Sequence, residues 1–121
     1  MSHFGELSEL VPLQIWDGVV GRAWQGEKAA QVAIELEPDA RVPEHQHPNE
    51  QIGVLIRGSM LFRIGDELKA LTAGSTWVIP AGVPHQVEAG PQGAFLIELF
   101  APPRDDWSGL ERLEPSAPSG F

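Results

Sequence analysis

Cysteine is absent from this chain of 121 residues, which excludes disulfides, a thiolate nucleophile and any cysteine-based metal site. Basic side chains are few: eight lysines and arginines stand against 17 acidic residues, a formal net charge of -9. A surface that negative repels phosphate backbones and anionic lipid heads, so neither nucleic acid nor a membrane is the expected partner. An anionic small molecule stays possible, because one bound cation reverses the local sign inside a pocket. No uninterrupted apolar run approaches the roughly 20 residues that a membrane-crossing helix needs. Met1 to Leu10 carries two glutamates and lacks the basic-then-apolar order of a signal peptide. A soluble cytoplasmic protein is the expectation, and the length predicts a single domain over residues 1–121, its barrel core spanning about 12–103. No repeat with a period of 20 to 50 residues is visible, and helical material is scarce.

What is plentiful is punctuation. Thirteen glycines and 11 prolines divide the chain at short intervals, which favours many short strands. Val32, Ile34 and Leu36 alternate with Ala33, Glu35 and Glu37, the period of a half-buried strand. Leu13 to Trp16 and Val19 to Trp24 read as strands joined through Asp17-Gly18. Ile52 to Ile56 and Met60 to Ile64 read as two more, the second ending in the turn signal Gly65-Asp66. Thr76 to Ile79, Gln86 to Glu88 and Ala94 to Phe100 complete an all-β sandwich or barrel. Asp105 to Leu113 has the pattern for a turn or two of helix, and residues 108–121 have the composition of a flexible tail. Strands such as Leu13 to Trp16 are expected as open edges, and pairing them across a two-fold predicts a homodimer.

Three of the four histidines fall in two short segments. His45 and His47 are two residues apart, and in a strand both imidazoles leave the same face, with Asn49 and Gln51 in the same parity and Glu50 opposed. His85 follows Pro80-Ala81-Gly82-Val83-Pro84, a rigid turn that returns its side chain towards the sheet. Alone, such a pair serves equally as an exposed turn. Glu98 interrupts the apolar run Ala94 to Phe100 and shares a face with Leu96 and Phe100. In an apolar interior beside a cation its carboxyl suits proton transfer, and a structural ion pair with an arginine is the alternative. Arg104 has the planar fork that clamps a carboxylate. Met60, Phe62, Trp77, Val87 and Phe100 are candidates for the barrel lining.

The surroundings of these histidines resemble the cupin family. Its first motif, G-x5-H-x-H-x3/4-E-x6-G, is followed here by Asp39, His45, His47, Gln51 and Gly58. Its second, G-x5-P-x-G-x2-H-x3-N, is followed by Gly74, Pro80, Gly82, His85 and Ala89. The resemblance covers roughly residues 30 to 100 and implies a jelly-roll (RmlC-like) barrel holding one divalent transition ion, Zn, Mn, Ni, Fe, Co or Cu, on His45, His47, Gln51 and His85. Asp39, Ala89 and Gln51 depart from the pattern, and only Gln51 touches the ligand set. With glutamine there all four ligands are neutral, so the ion keeps its full charge.

The run His45-Gln46-His47-Pro48-Asn49-Glu50-Gln51 is similar to a narrower group, the pectin-degradation cupins that convert 4,5-unsaturated uronates to a linear keto form. That group also carries glutamine at the fourth position, and its carboxylate, Phe, Pro and Arg are matched by Glu98, Phe100, Pro102 and Arg104, with glutamate where the group usually has aspartate. The resemblance implies Lewis-acid isomerisation of a small substrate such as a carboxylated sugar, with Glu98 and Arg104 as catalytic residues. A metal-dependent dioxygenase and a non-enzymatic small-molecule-binding module are the other functions this fold hosts.

Overall fold

A computed structural model describes residues 2–119. A single turn of 3-10 helix, Leu7–Glu9, precedes the strands β1 (Leu13–Trp16), β2 (Val19–Gln25), β3 (Ala30–Leu36), β4 (Arg41–His45), β5 (Glu50–Ile64), β6 (Glu67–Thr72), β7 (Thr76–Ile79), β8 (His85–Ala101) and β9 (Glu111–Arg112). All pairings are antiparallel, in the order β6-β5-β8-β3-β2-β1-β9, with β4 on β8 and β7 on β5. Asp17-Gly18 and Gly65-Asp66 make the two-residue hairpin turns that their composition predicts.

β5 and β8 are the two strands on which the rest is hung. The first half of β5 pairs with β7 and with the last part of β8, and its second half pairs with β6 and with the first part of β8. β8 likewise serves β3 with its last third and β4 with its first. The two halves of the sheet face one another, since Ile34 and Leu96 from one and Val42, Met60 and Phe62 from the other line the same cavity. That is the antiparallel jelly-roll barrel, and its core is the inward row of both halves.

The bend between the halves explains why each long strand reads as two short ones. In β5, Gln51, Gly53 and Leu55 are buried before the bend, whereas Met60 and Phe62 are buried after it. The parity reverses because the register slips between Leu55 and Arg57 and again between Gly58 and Met60. Gly58 stands at this corner with φ of 87°, opposite Ala94, and a methyl group on it would fall 2.1 Å from the carbonyl oxygen of Gly93. Only glycine satisfies both the left-handed backbone and the close approach.

The structure corrects three expectations. Asp105 to Leu113 forms no helix; residues 107–110 close as a turn through Leu110 N–H to the Trp107 carbonyl, 3.1 Å. Composition predicts a flexible tail from residue 108, yet residues 111–119 lie against the sheet. β9 pairs with Leu13 and Gln14, and buried Arg22 donates to the Ser116 carbonyl (2.9 Å) and hydroxyl (3.1 Å) while it forms an ion pair with Glu35. The strand Leu13 to Trp16 is therefore an open edge only in part, because the chain's own β9 pairs with Leu13 and Gln14. Polar backbone held by one buried guanidinium does what an apolar pattern would otherwise have announced.

Gly58→Ala is expected to destabilise the fold by about 1–3 kcal/mol from backbone strain, with steric conflict added. Thermal unfolding of the variant should fall by at least about 5 °C, and an unchanged midpoint would remove Gly58 from its cornerstone role.

Candidate metal centre

The three imidazoles meet at one end of the barrel. His45 closes β4 and is paired in register with His85, the first residue of β8, their ring centroids 4.3 Å apart. His47 stands 5.0 Å from His85 and 5.8 Å from His45. Contrary to the strand parity read from the sequence, His47 is not in a strand: the chain leaves β4 after His45 and residues 46–49 form a connection. Pro48, which lacks an N–H, suits a break in the ladder. The connection is held by the Gly82 N–H to the His47 carbonyl (2.9 Å) and by Asn49 Nδ2 to the Pro102 carbonyl (2.5 Å).

Each ring is oriented by a backbone carbonyl. His45 Nδ1 lies 2.8 Å from the Pro43 oxygen, His47 Nδ1 3.0 Å from that of Asn49, and His85 Nδ1 2.9 Å from that of Val83. A carbonyl can only accept, so Nδ1 carries the proton in each and the Nε2 lone pairs are left for the pocket. Burial holds all three rings below the ordinary histidine range, His85 down to about 4. Neutral imidazoles result. One ligand atom from each lies within 4.8 Å of the others.

Two further observations fit a cation. His85 Nε2 is buried with no hydrogen-bond partner in the structure. Gln51 Oε1 lies 2.9 Å from His47 Nε2, so two lone pairs face each other. The orientation of the Gln51 amide follows from its other end, where Nε2 donates to Glu98. Two acceptors at that distance are reconciled by a positive charge shared between them, and His45, His47, His85 and Gln51 together offer the neutral nitrogen and oxygen donors that suit a transition ion.

Gln51 also has an explanation that the sequence does not offer. Glutamate at this position would set two carboxylates in hydrogen-bond contact, since Glu98 accepts from residue 51 directly. The amide avoids this: its oxygen faces the imidazoles and its nitrogen supports Glu98. Glu98 points into the barrel, 4% exposed, and takes a second hydrogen bond on the same oxygen from Trp77 Nε1 at 3.0 Å. Gly53 makes room for that contact. It lies between Trp77 and Glu98 in the cross-strand register, and a methyl group there would fall 2.6 Å from the indole. Burial raises the Glu98 carboxyl above its ordinary range, against the pull of the Gln51 and Trp77 hydrogen bonds and the Arg104 charge. Trp77, read as lining or core, is thus a polar partner of Glu98, and nothing in its sequence neighbourhood signals it.

Arg104 lies at the same mouth, but its fork is taken. Nε and Nη2 bind Asp106 Oδ1 and Oδ2 at 2.8 and 2.7 Å, and the guanidinium sits 5.2 Å from the Phe100 ring centre and 4.9 Å from that of Trp107. The Arg104 hydrogen bonds hold Asp106 below the usual carboxylate range. No ion pair joins Arg104 to Glu98 among the described residues.

Gln51→Glu is expected to make the metal-free protein hold one proton between the two adjacent carboxyls at pH 7. A carbon-13 carboxyl titration should show one group titrating well above the usual carboxylate range; two ordinary carboxyl titrations would refute the contact.

Comparison with known proteins accords with this geometry. The solved RmlC-like cupin from Shewanella frigidimarina NCIMB 400 superposes with a TM-score of 0.80 at 25% identity, over 88% of this chain and 96% of that one. KdgF from a Halomonas species superposes at 0.79 with 24% identity, over 88% and 98%, a likeness of fold. Oxalate decarboxylase OxdC of Bacillus subtilis (strain 168) is 30% identical over 79 residues, 61% of this chain and 20% of that protein. The chain spans about a fifth of the length of the curated relatives it matches. The model of the cupin domain matches residues 32–97, more than half of the chain and both histidine segments. With that match, the barrel and the three converging imidazoles, the chain belongs to the cupin family.

Proposed function

We propose that this cupin is a metal-dependent enzyme that moves a proton within a small carboxylate substrate, an isomerisation or ketonisation without net redox change. The observation that carries the reading is one cavity lined by His45, His85, Gln51 and Glu98, where lone pairs able to hold an ion stand beside a buried carboxyl able to exchange a proton. His45, His47, Gln51 and His85 would hold a divalent transition ion, which when bound supplies Lewis-acid polarisation of a carbonyl or enol oxygen.

The chain's own residues do the rest. Glu98 places a proton on the double-bond carbon of an enol or enol ether while the enol or hemiacetal hydroxyl gives one up, or moves one from a carbon next to the carbonyl to another carbon. Either way the double bond shifts and no oxidant is consumed. Burial raises its affinity for a proton above that of an ordinary carboxylate, the direction a proton-transfer group needs. Gln51 and Trp77 keep one carboxyl oxygen engaged, which leaves the other for the substrate. Arg104 supplies positive charge at the mouth, and a substrate carboxylate reaches its fork by displacing Asp106, whose side chain is 56% exposed. The resemblance to the pectin-degradation cupins makes a 4,5-unsaturated uronate one substrate to assay, beside simple 2-oxo carboxylates.

The homodimer proposed from the sequence finds a different support. Val78, Ile52 and Leu99 are neighbours in register on the outer face of β7, β5 and β8, each more than 40% exposed. We propose this row as the contact with a second copy. Light scattering should report a dimer for the wild type and a monomer for Ile52→Lys; a wild-type monomer at high concentration would reject it.

Elemental analysis should find near-stoichiometric transition metal in the wild type and little in His47→Ala. Glu98→Gln should retain the metal while its ketonisation of a 4,5-unsaturated uronate, or its deuterium exchange at C3 of pyruvate, falls by about 10²- to 10⁴-fold. Full activity in Glu98→Gln would take Glu98 out of the mechanism. Oxygen uptake by the iron-loaded protein would favour the dioxygenase, and a protein without metal or exchange would be a binding module.

A further inference from the structure

The interior changes character within two strand steps of the imidazoles. In one half of the barrel the buried row of β8 runs from His85 through Val87 to Ala89, beside Ile64, Phe62 and Met60 of β5. In the other half it runs from Glu98 through Leu96 to Ala94, beside Val32, Ile34 and Leu36 of β3. Each step along a strand to the next inward residue is roughly 6.5–7 Å. The cavity, about 270 Å³, is therefore polar at one end and hydrocarbon at the other, where Val19, Ile34, Leu36, Met60, Phe62 and Leu96 line it.

The polar side chains of the site are mostly engaged with one another. Gln51 joins His47 to Glu98, His45 faces His85, and Asp106 joins Arg104. Beyond these, the indoles of Trp16 and Trp107 are the remaining donors in the described lining, and both stand by the mouth, against His45 and Arg104. A sugar acid carries a hydroxyl on nearly every carbon. With its carboxylate at the polar end, the distal hydroxyls would exchange water for alkyl groups and go unpaired. An apolar body in the same place releases the cavity water and loses nothing polar. At about 30 Å³ per water the space holds roughly nine waters, room for one six-membered ring with a short acid head.

Resting on the proton-transfer reading above, we propose that the substrate is a small 2-oxo or enol carboxylate with an apolar body, aryl or branched alkyl, in place of a polyhydroxylated sugar acid. The carboxylate and adjacent oxygen lie among the imidazoles, Gln51 and Arg104. The carbon that gives or takes the proton faces Glu98, and the body extends past Leu96 towards Ile34 and Phe62. Val19 and Leu36 set the length that fits.

Calorimetric titration of the full chain, zinc-loaded and metal-free, with phenylpyruvate, pyruvate and galacturonate tests this. Phenylpyruvate should bind at least about tenfold more tightly than pyruvate, with a more negative heat-capacity change, and galacturonate no more tightly than pyruvate. Val19→Phe, which fills the apolar end, should abolish the gain from the phenyl group and leave pyruvate unaffected. The heat-capacity comparison decides the matter on wild-type protein if that variant fails to fold. Galacturonate binding more tightly than phenylpyruvate, or equal affinity for all three, overturns the substrate class. A protein that holds no metal and exchanges no proton overturns the catalytic reading instead, while the ranking is still measured on the metal-free form.

Discussion

The amide of Gln51 is the point at which the two chemistries of this barrel are joined. One end presents a lone pair to the imidazole cluster, and the other donates to a buried carboxyl. No charged side chain can do both. A carboxylate would repel Glu98, and a cation would repel a metal ion. Amide neutrality therefore follows from the neighbour across the barrel, and it has a consequence for any ion held there, whose charge no ligand cancels. The rest of the site is arranged around this pairing. Gly53 clears the space through which Trp77 supports Glu98, and the carbonyls of Pro43, Asn49 and Val83 turn the three rings so that their free nitrogens converge.

These contacts depend on where the sheet bends. His85 and Glu98 sit on one strand, β8, yet they reach the same cavity from opposite halves of the barrel. They do so because β5 and β8 turn together at Gly58 and Gly93, where their backbones come closer than any side chain permits. A straight β8 would carry the two residues some 13 positions apart, about 43 Å at the rise of an extended strand. The corner is thus a condition for the centre, although neither glycine touches it.

Much of this was legible in the sequence, and the parts that were not share a cause. The histidine spacing, the prolines before His85, and Glu98 within an apolar strand each mark local chemistry, so all three could be located without coordinates. The motif register likewise selects Gln51 over Glu50. Periodicity fails where the backbone is irregular: β5 and β8 read as pairs of short strands because their bulges reverse the inward parity. His47 reads as a strand residue for the same reason, since a connection between strands has no pattern of its own. β6 escapes notice because Leu71 is its single buried residue, too little for an alternating signal. The roles of Trp77 and Arg22 depend on partners 21 and 94 residues away, which no local window contains.

The docking of residues 111–119 changes how the end of this chain should be regarded. β9 is a two-residue strand whose apolar burial is negligible, held mainly by backbone pairing with Leu13 and Gln14 and by the contacts of Arg22 with Ser116. Such a segment is a removable seal. While it is in place, β1 shows other molecules no free ladder at Leu13 and Gln14. Clipped by a protease or displaced by a fused tag, it would hand its pairing groups to whatever strand arrived next, and an otherwise well-behaved barrel would acquire a route to swapping and polymerisation.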